Sequence, residues 1–141
     1  MDITYSVDRP WGDLTGYRLI AETTGTLSVA FSGREFLFIE DALILECAGT
    51  CFRWQLLVEA NVGKDFYYAS MAEEEQSLLS LSLNAASLYL VNSCWANWEP
   101  PSVTKLEAHS AISSFLMTLS DEFERDHGLA LAPTLAARGA V

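Results

Sequence analysis

Leu79-Ser80-Leu81-Ser82-Leu83-Asn84-Ala85-Ala86-Ser87-Leu88-Tyr89-Leu90-Val91-Asn92-Ser93-Cys94 is the stretch on which the fold turns. Leu79, Leu81 and Leu83 alternate strictly with Ser80, Ser82 and Asn84, a period of two that gives a strand one apolar and one polar face. After the connection at residues 84–87, residues 88–94 supply a partner strand. The wider stretch from Gln76 to Trp98 is uncharged, but polar residues interrupt it throughout. It therefore reads as paired strands and not as a spanning helix of about 20 apolar residues.

Toward the C-terminus, Trp95-Ala96-Asn97-Trp98-Glu99-Pro100-Pro101 is a loop, because the prolines lack donors and restrict their neighbours. Thr104-Lys105-Leu106-Glu107 has the form of a capping box. Leu106, Ile112, Phe115, Leu116, Leu119 and Phe123 then mark a helical stripe that Gly128 ends. Residues 129–141 are Ala-rich, punctuated by Pro133 and Gly139, and are expected to be a flexible tail.

Toward the N-terminus, residues 66–71 are aromatic-rich and read as a strand. Asp41 is positioned to cap a helix over residues 42–59, in which Gly49 and Thr50 mark a point of weakness. Before it, residues 3–7, 17–21, 27–31 and 35–39 read as strands, separated by Gly12, Gly16, the turn Thr23-Thr24-Gly25 and the turn Ser32-Gly33-Arg34. The order strands, helix, strands, helix predicts one α+β domain over residues 1–128: a mainly antiparallel sheet of two meanders with two amphipathic helices packed on one face.

The length of 141 residues suits a single domain, and 50% apolar content is enough for a substantial core. Asp2, Asp8 and Arg9 interrupt the start of the chain, which does not read as a secretory signal. Three cysteines, Cys47, Cys51 and Cys94, form an odd set without a CxxC pair, so no disulfide framework is expected and a reducing cytoplasm fits. Cys47 and Cys51, four apart, read as two small buried residues on one helix face.

No G-x-S-x-G elbow, phosphate-binding loop, dinucleotide-binding glycine pattern or H-E-x-x-H occurs, so neither an enzyme nor a bound cofactor or metal is expected. The one nucleophile reading pairs Cys94 or Cys51 with His109. Charge is more informative. Nineteen acidic residues against eight basic ones leave a formal net charge of −11. Such a balance disfavours direct contact with nucleic acid or an anionic membrane. Between Asp65 and Thr104 there is no Lys or Arg, whereas Glu73, Glu74, Glu75 and Glu99 are acidic.

At the end of the last helix, Asp121, Glu122, Glu124 and Asp126 crowd the negative pole of the dipole. Trp95 and Trp98, within the stretch free of Lys and Arg, add aromatic area beside its carboxylates, a surface that the helix acids extend if the helix ends nearby. Glu73, Glu74, Glu75, Trp95, Trp98 and Glu99, extended by Asp121, Glu122 and Glu124, are therefore the candidate partner-binding residues. Reversing the three consecutive glutamates is expected to slow association, and Trp98→Ala to speed dissociation with the fold intact.

With a strand-rich start, a central helix around residues 43–54, the Asp65-Phe66-Tyr67-Tyr68-Ala69-Ser70 segment followed by acids, and a terminal amphipathic helix, the chain resembles small acidic immunity proteins encoded beside bacterial polymorphic or contact-dependent toxins. The resemblance implies a cytoplasmic protein that binds a basic toxin, such as a nuclease, and occludes its active site. The same surface is also compatible with a phage or mobile-element inhibitor that mimics nucleic-acid charge. A third reading is a small-ligand or enzymatic domain with Phe66, Tyr67, Tyr68 and Tyr89 lining a pocket.

Overall fold

The computed structural model describes residues 1–61, 65–70 and 77–139. Its elements are β1 (Asp2–Val7), α1 (Arg18–Glu22), β2 (Thr24–Phe31), β3 (Arg34–Leu43), α2 (Ile44–Glu59), β4 (Phe66–Tyr68), β5 (Leu79–Leu83), β6 (Leu88–Asn92), β7 (Val103–Thr104), α3 (Lys105–His127) and α4 (Leu131–Ala137). The fold is α+β. The two meanders are two separate antiparallel sheets, β1-β2-β3 and β4-β5-β6-β7.

In the first sheet, Leu27, Val29 and Phe31 point into the core while Thr26, Ser28 and Ala30 face outward. Thr23-Thr24-Gly25 is not a turn, because β2 already begins at Thr24. Gly25 lies opposite Val7, and a Cβ there would sit 2.8 Å from the Ser6 carbonyl carbon and closer still to its oxygen. This glycine serves close strand approach.

Residues 17–21, expected as a strand, form the single turn α1. Leu19 and Ile20 are adjacent and both buried, which a strand with alternating faces cannot achieve, and the Arg18 to Glu22 pair at 2.7 Å closes the turn at helical spacing. Asp41 does not cap α2. It has φ +53° inside a bulge of β3, and α2 follows the strand directly from Leu43 without a side-chain cap. The Ile44 N–H goes instead to the Thr23 carbonyl at 3.2 Å. α2 runs through Gly49 unbroken, since burial of Cys47, Ala48, Cys51 and Trp54 along it outweighs a cost of about 1 kcal/mol.

The second sheet follows the alternation that the leucines announced, with Leu79 and Leu81 facing the core beside Phe66, Tyr68, Tyr89 and Val91. Phe66, Tyr68 and Tyr89 are thus packed core residues and not pocket walls, while Tyr67 points outward. Both arms of the capping box at Thr104 and Glu107 form, each at 3.1 Å, and Gly128 ends α3 with φ +67°.

Leu106 leaves the expected stripe. It is 75% exposed, two residues before buried Ala108 and hence about 200° around the helix at ~100° per residue. Residues 129–139 do not fray as a tail. Leu131, Thr134 and Leu135 of α4 are buried, and Arg138 donates to the backbone carbonyls of Leu14 and Gly16. α2 touches α1, α3, α4, β2 and β4, so both sheets and the other helices share one core around it.

Candidate protein-binding surface

The loop after β6 starts where Cys94 N–H donates to the Ser77 carbonyl and Trp95 N–H to the Ser93 hydroxyl, both at 3.2 Å. Trp98 then reaches back to the other sheet. Its indole N–H donates to the Glu35 carbonyl at 3.0 Å. Its ring stands edge-on to Phe36 and Phe31, with centroids 5.8 and 6.4 Å away, and the Arg34 guanidinium covers it at 3.9 Å. Trp98 is half-buried and bridges the two sheets, whereas Trp95 remains 45% exposed. Beside them an open depression of about 280 Å³ is lined by Phe36, Val91, Asn92, Ser93, Trp98 and Glu99. It is shallow and small for a ligand site, whose usual lower limit is near ~300 Å³.

At the far end of α3 the crowded acids acquire partners. Arg9, in the segment after β1, binds both Glu122 and Asp126. The Tyr5 hydroxyl donates to Glu122 at 2.7 Å, and the Trp11 indole N–H to Asp126 at 2.9 Å. Burial and the Glu122 bond push the Tyr5 phenol upward, while Trp11 and Arg9 hold the Asp126 carboxyl below the usual range. Glu122 and Asp126 therefore fasten α3 to β1 and its following loop. Asp121 and Glu124 point outward and are exposed.

The structure sets Trp98 and Glu99 on one depression and joins Arg34 and Glu35 to Trp98, while Trp95 stays exposed in the same loop. It does not bring Asp121, Glu122 and Glu124 to them. α3 rises about 24 Å between Lys105 and Asp121 at 1.5 Å per residue, and the Trp98 loop precedes its start. Glu73, Glu74 and Glu75 lie outside the described residues.

The outer face of the first sheet adds exposed residues beyond those expected from the sequence. There Asp2, Ala30 and Glu35 form one row and Thr4, Ser28 and Phe38 the next, followed by Ser6 and Thr26, whose hydroxyls meet at 2.7 Å. Phe38 is 46% exposed, with Glu35, Glu40 and Asp41 exposed along the same strand. The polar alternation of β1 and β2 foreshadows this face, but Glu35-Phe36-Leu37-Phe38-Ile39-Glu40 places apolar residues at both parities. Only the bulge at Phe36 decides which phenylalanine turns out.

Among the described residues, no group of three or more His, Cys, Asp or Glu side chains is placed to hold a metal, and no helix is long and apolar enough to cross a membrane. Cys47 and Cys51 are both buried, and the neighbouring Cys47 together with burial pushes the Cys51 thiol well above its ordinary value, the opposite of an activated nucleophile. His109 rests against Trp54, with ring centroids 6.3 Å apart.

Residues 3–125, from β1 into the last turn of α3, match a family described as a domain of unknown function (DUF7878). No curated protein and no solved structure matches the chain.

Proposed function

The chain belongs to the DUF7878 family, and on the surface that its β1-to-α3 span carries we propose that it is a non-enzymatic binding protein of the immunity type, which captures a basic protein and covers a cationic functional cleft on it. The observation that carries this reading is the fate of the cations. Arg9 is held by Glu122 and Asp126, Arg18 by Glu22, Arg34 by the face of Trp98, and Arg138 by backbone carbonyls. These four positive charges are spent inside the chain, while Glu35, Glu40, Asp41, Glu99, Asp121 and Glu124 stay exposed. A surface so arranged steers a cationic partner and repels nucleic acid and anionic lipid.

Exposed Trp95 and Phe38 supply rigid apolar area near carboxylates, the composition of an anchored interface with a charged rim. Such a partner, if a nuclease or another toxin with a basic active site, would be blocked without chemistry on the inhibitor's side.

The test is co-expression of the tagged protein with the products of its neighbouring reading frames, followed by association kinetics over a salt series. The expected result is a stoichiometric complex with one basic product, an association rate that falls by at least tenfold between low and high salt, and loss of that product's activity in the complex. Absence of any basic partner among the neighbouring products overturns the reading. Competition by DNA or RNA separates an inhibitor seated in a phosphate-binding cleft, which is displaced, from one seated elsewhere.

A further inference from the structure

β1 is an outer strand: β2 pairs with it on one side, and among the described residues no strand pairs with the other. The Asp8 N–H donates to the Thr24 carbonyl at 2.8 Å, one position beyond the Val7 to Gly25 pair. Narrow and wide pairs alternate along an antiparallel ladder, so the backbone groups of Ser6, Thr4 and Asp2 point to β2. Those of Ile3, Tyr5 and Val7 point away from it. A row of unpaired backbone donors and acceptors is a template for another strand.

α3 runs alongside this edge in the same direction as β1. Leu106 and Glu107 lie beside Met1 and Asp2, Phe115 stands edge-on to Tyr5 at 5.5 Å, and Glu122 meets the Tyr5 hydroxyl. Between strand and helix lie two adjoining depressions of about 480 and 310 Å³ that share Ile3, Thr4 and Ser114. Met1, Ile3, Leu106 and Ala111 give the wider one an apolar lining. Asp2, Glu107 and Glu122, the last held by Arg9, are the charged side chains of the seam, and no Lys or Arg side chain lines it. From Leu106 to Glu122 the seam is about 24 Å long at 1.5 Å per residue, room for about seven residues of extended chain at ~3.3 Å each.

We propose that the seam between β1 and α3 is a peptide-binding groove that takes an extended, basic segment of a protein partner as a fourth strand of the first sheet. The backbone of Ile3 and Tyr5 supplies the ladder, and alternate side chains of the segment enter the groove against Leu106, Ile3 and Met1. Lys or Arg side chains of the segment face Asp2 and Glu107 at the open end. This is recognition by strand addition, in which the main chain gives affinity and alternate pockets give specificity. It accounts for Leu106, the most exposed of the large apolar residues described, standing beside an open strand edge. The inference rests on the reading of the chain as a partner-binding protein, but it concerns a surface distinct from Trp95, Trp98 and Glu99.

The experiment pans a phage-displayed library of linear twelve-residue peptides against the full chain and measures the enriched peptides by fluorescence polarisation. The expected peptides alternate apolar with Lys or Arg. Their affinity should fall at least tenfold for Ser114→Arg, which puts a cation into the groove, and for Ile3→Pro, which removes an outward donor while the bonds of Thr4 and Asp2 to β2 remain. Leu106→Asp, at an exposed position, should weaken binding similarly with unchanged thermal stability. N-methylation of alternate peptide nitrogens should abolish binding.

Failure to enrich any linear peptide overturns the groove, as does enrichment of helical peptides indifferent to N-methylation or to Ser114→Arg and Leu106→Asp. The proposed function fails separately, when no neighbouring basic product is captured. A captured partner whose affinity ignores Ser114→Arg and Leu106→Asp rejects the groove alone.

Discussion

Arg34 holds its guanidinium over the indole ring of Trp98, 3.9 Å from carbon to centroid, and so joins the tip of the β2–β3 hairpin to the loop that leaves the second sheet. The indole's other contacts, to the Glu35 carbonyl, Phe31 and Phe36, are all made to the same hairpin. Trp98 is therefore a clasp between sheets before it is anything else.

Trp98→Ala is accordingly expected to lower stability by about 2–3 kcal/mol, below the full cost of a buried tryptophan because the ring is only half covered. Trp95→Ala, at the exposed neighbour, should change stability by less than about 0.5 kcal/mol. Urea unfolding of both variants checks the pair. Equal stability of the two would show that the clasp contributes nothing.

The Asp126 carboxyl is held below the ordinary range first by the Trp11 indole N–H and then by Arg9. A carboxyl whose folded value is depressed adds stability above its unfolded value of about 3.9 and loses it as pH falls through the folded value. Asp126→Asn should thus be less stable than the parent at pH 7, and the gap should close as the pH drops below about 4. Thermal melts from pH 7 to pH 2.5 provide the measurement. A gap constant across that range would place the effect in something other than charge.

Gly25→Ala would drive a Cβ into the Ser6 carbonyl, a backbone atom with no flexible end to move aside. A loss of about 3 kcal/mol or more is expected, with β1 displaced from β2. Hydrogen exchange at Ser6 and Asp8 should rise far more than at Leu81. By contrast, Gly33→Ala meets no atom within 4 Å and carries only the cost of its positive φ.

Of the three thiols, Cys94 is exposed while Cys47 and Cys51 are buried in α2. A disulfide reagent such as DTNB should modify one thiol promptly in the native state and the remaining two only on unfolding. Prompt modification of all three would mean that α2 opens readily.

Patterns carried by neighbouring residues were legible in the chain itself. The alternation at Leu79, Leu81 and Leu83 specifies a strand, Thr104 with Glu107 specifies where α3 begins, and Gly128 specifies where it ends, because each is set by bonds and faces a few residues apart. The acidic excess is likewise a property of composition alone. The separation of the two sheets, the docking of α4, the outward turn of Phe38 and the exposure of Leu106 were not legible, since each depends on which distant surface arrives to cover it. So does the destiny of the arginines: Arg9 meets Glu122 and Asp126 across more than a hundred residues of chain. Composition and short-range patterning thus specify an acidic α+β domain. Which acids hold the domain together and which stay exposed is settled by the packing of distant segments, because an ion pair or a covered face is a relation between parts that the linear order leaves far apart.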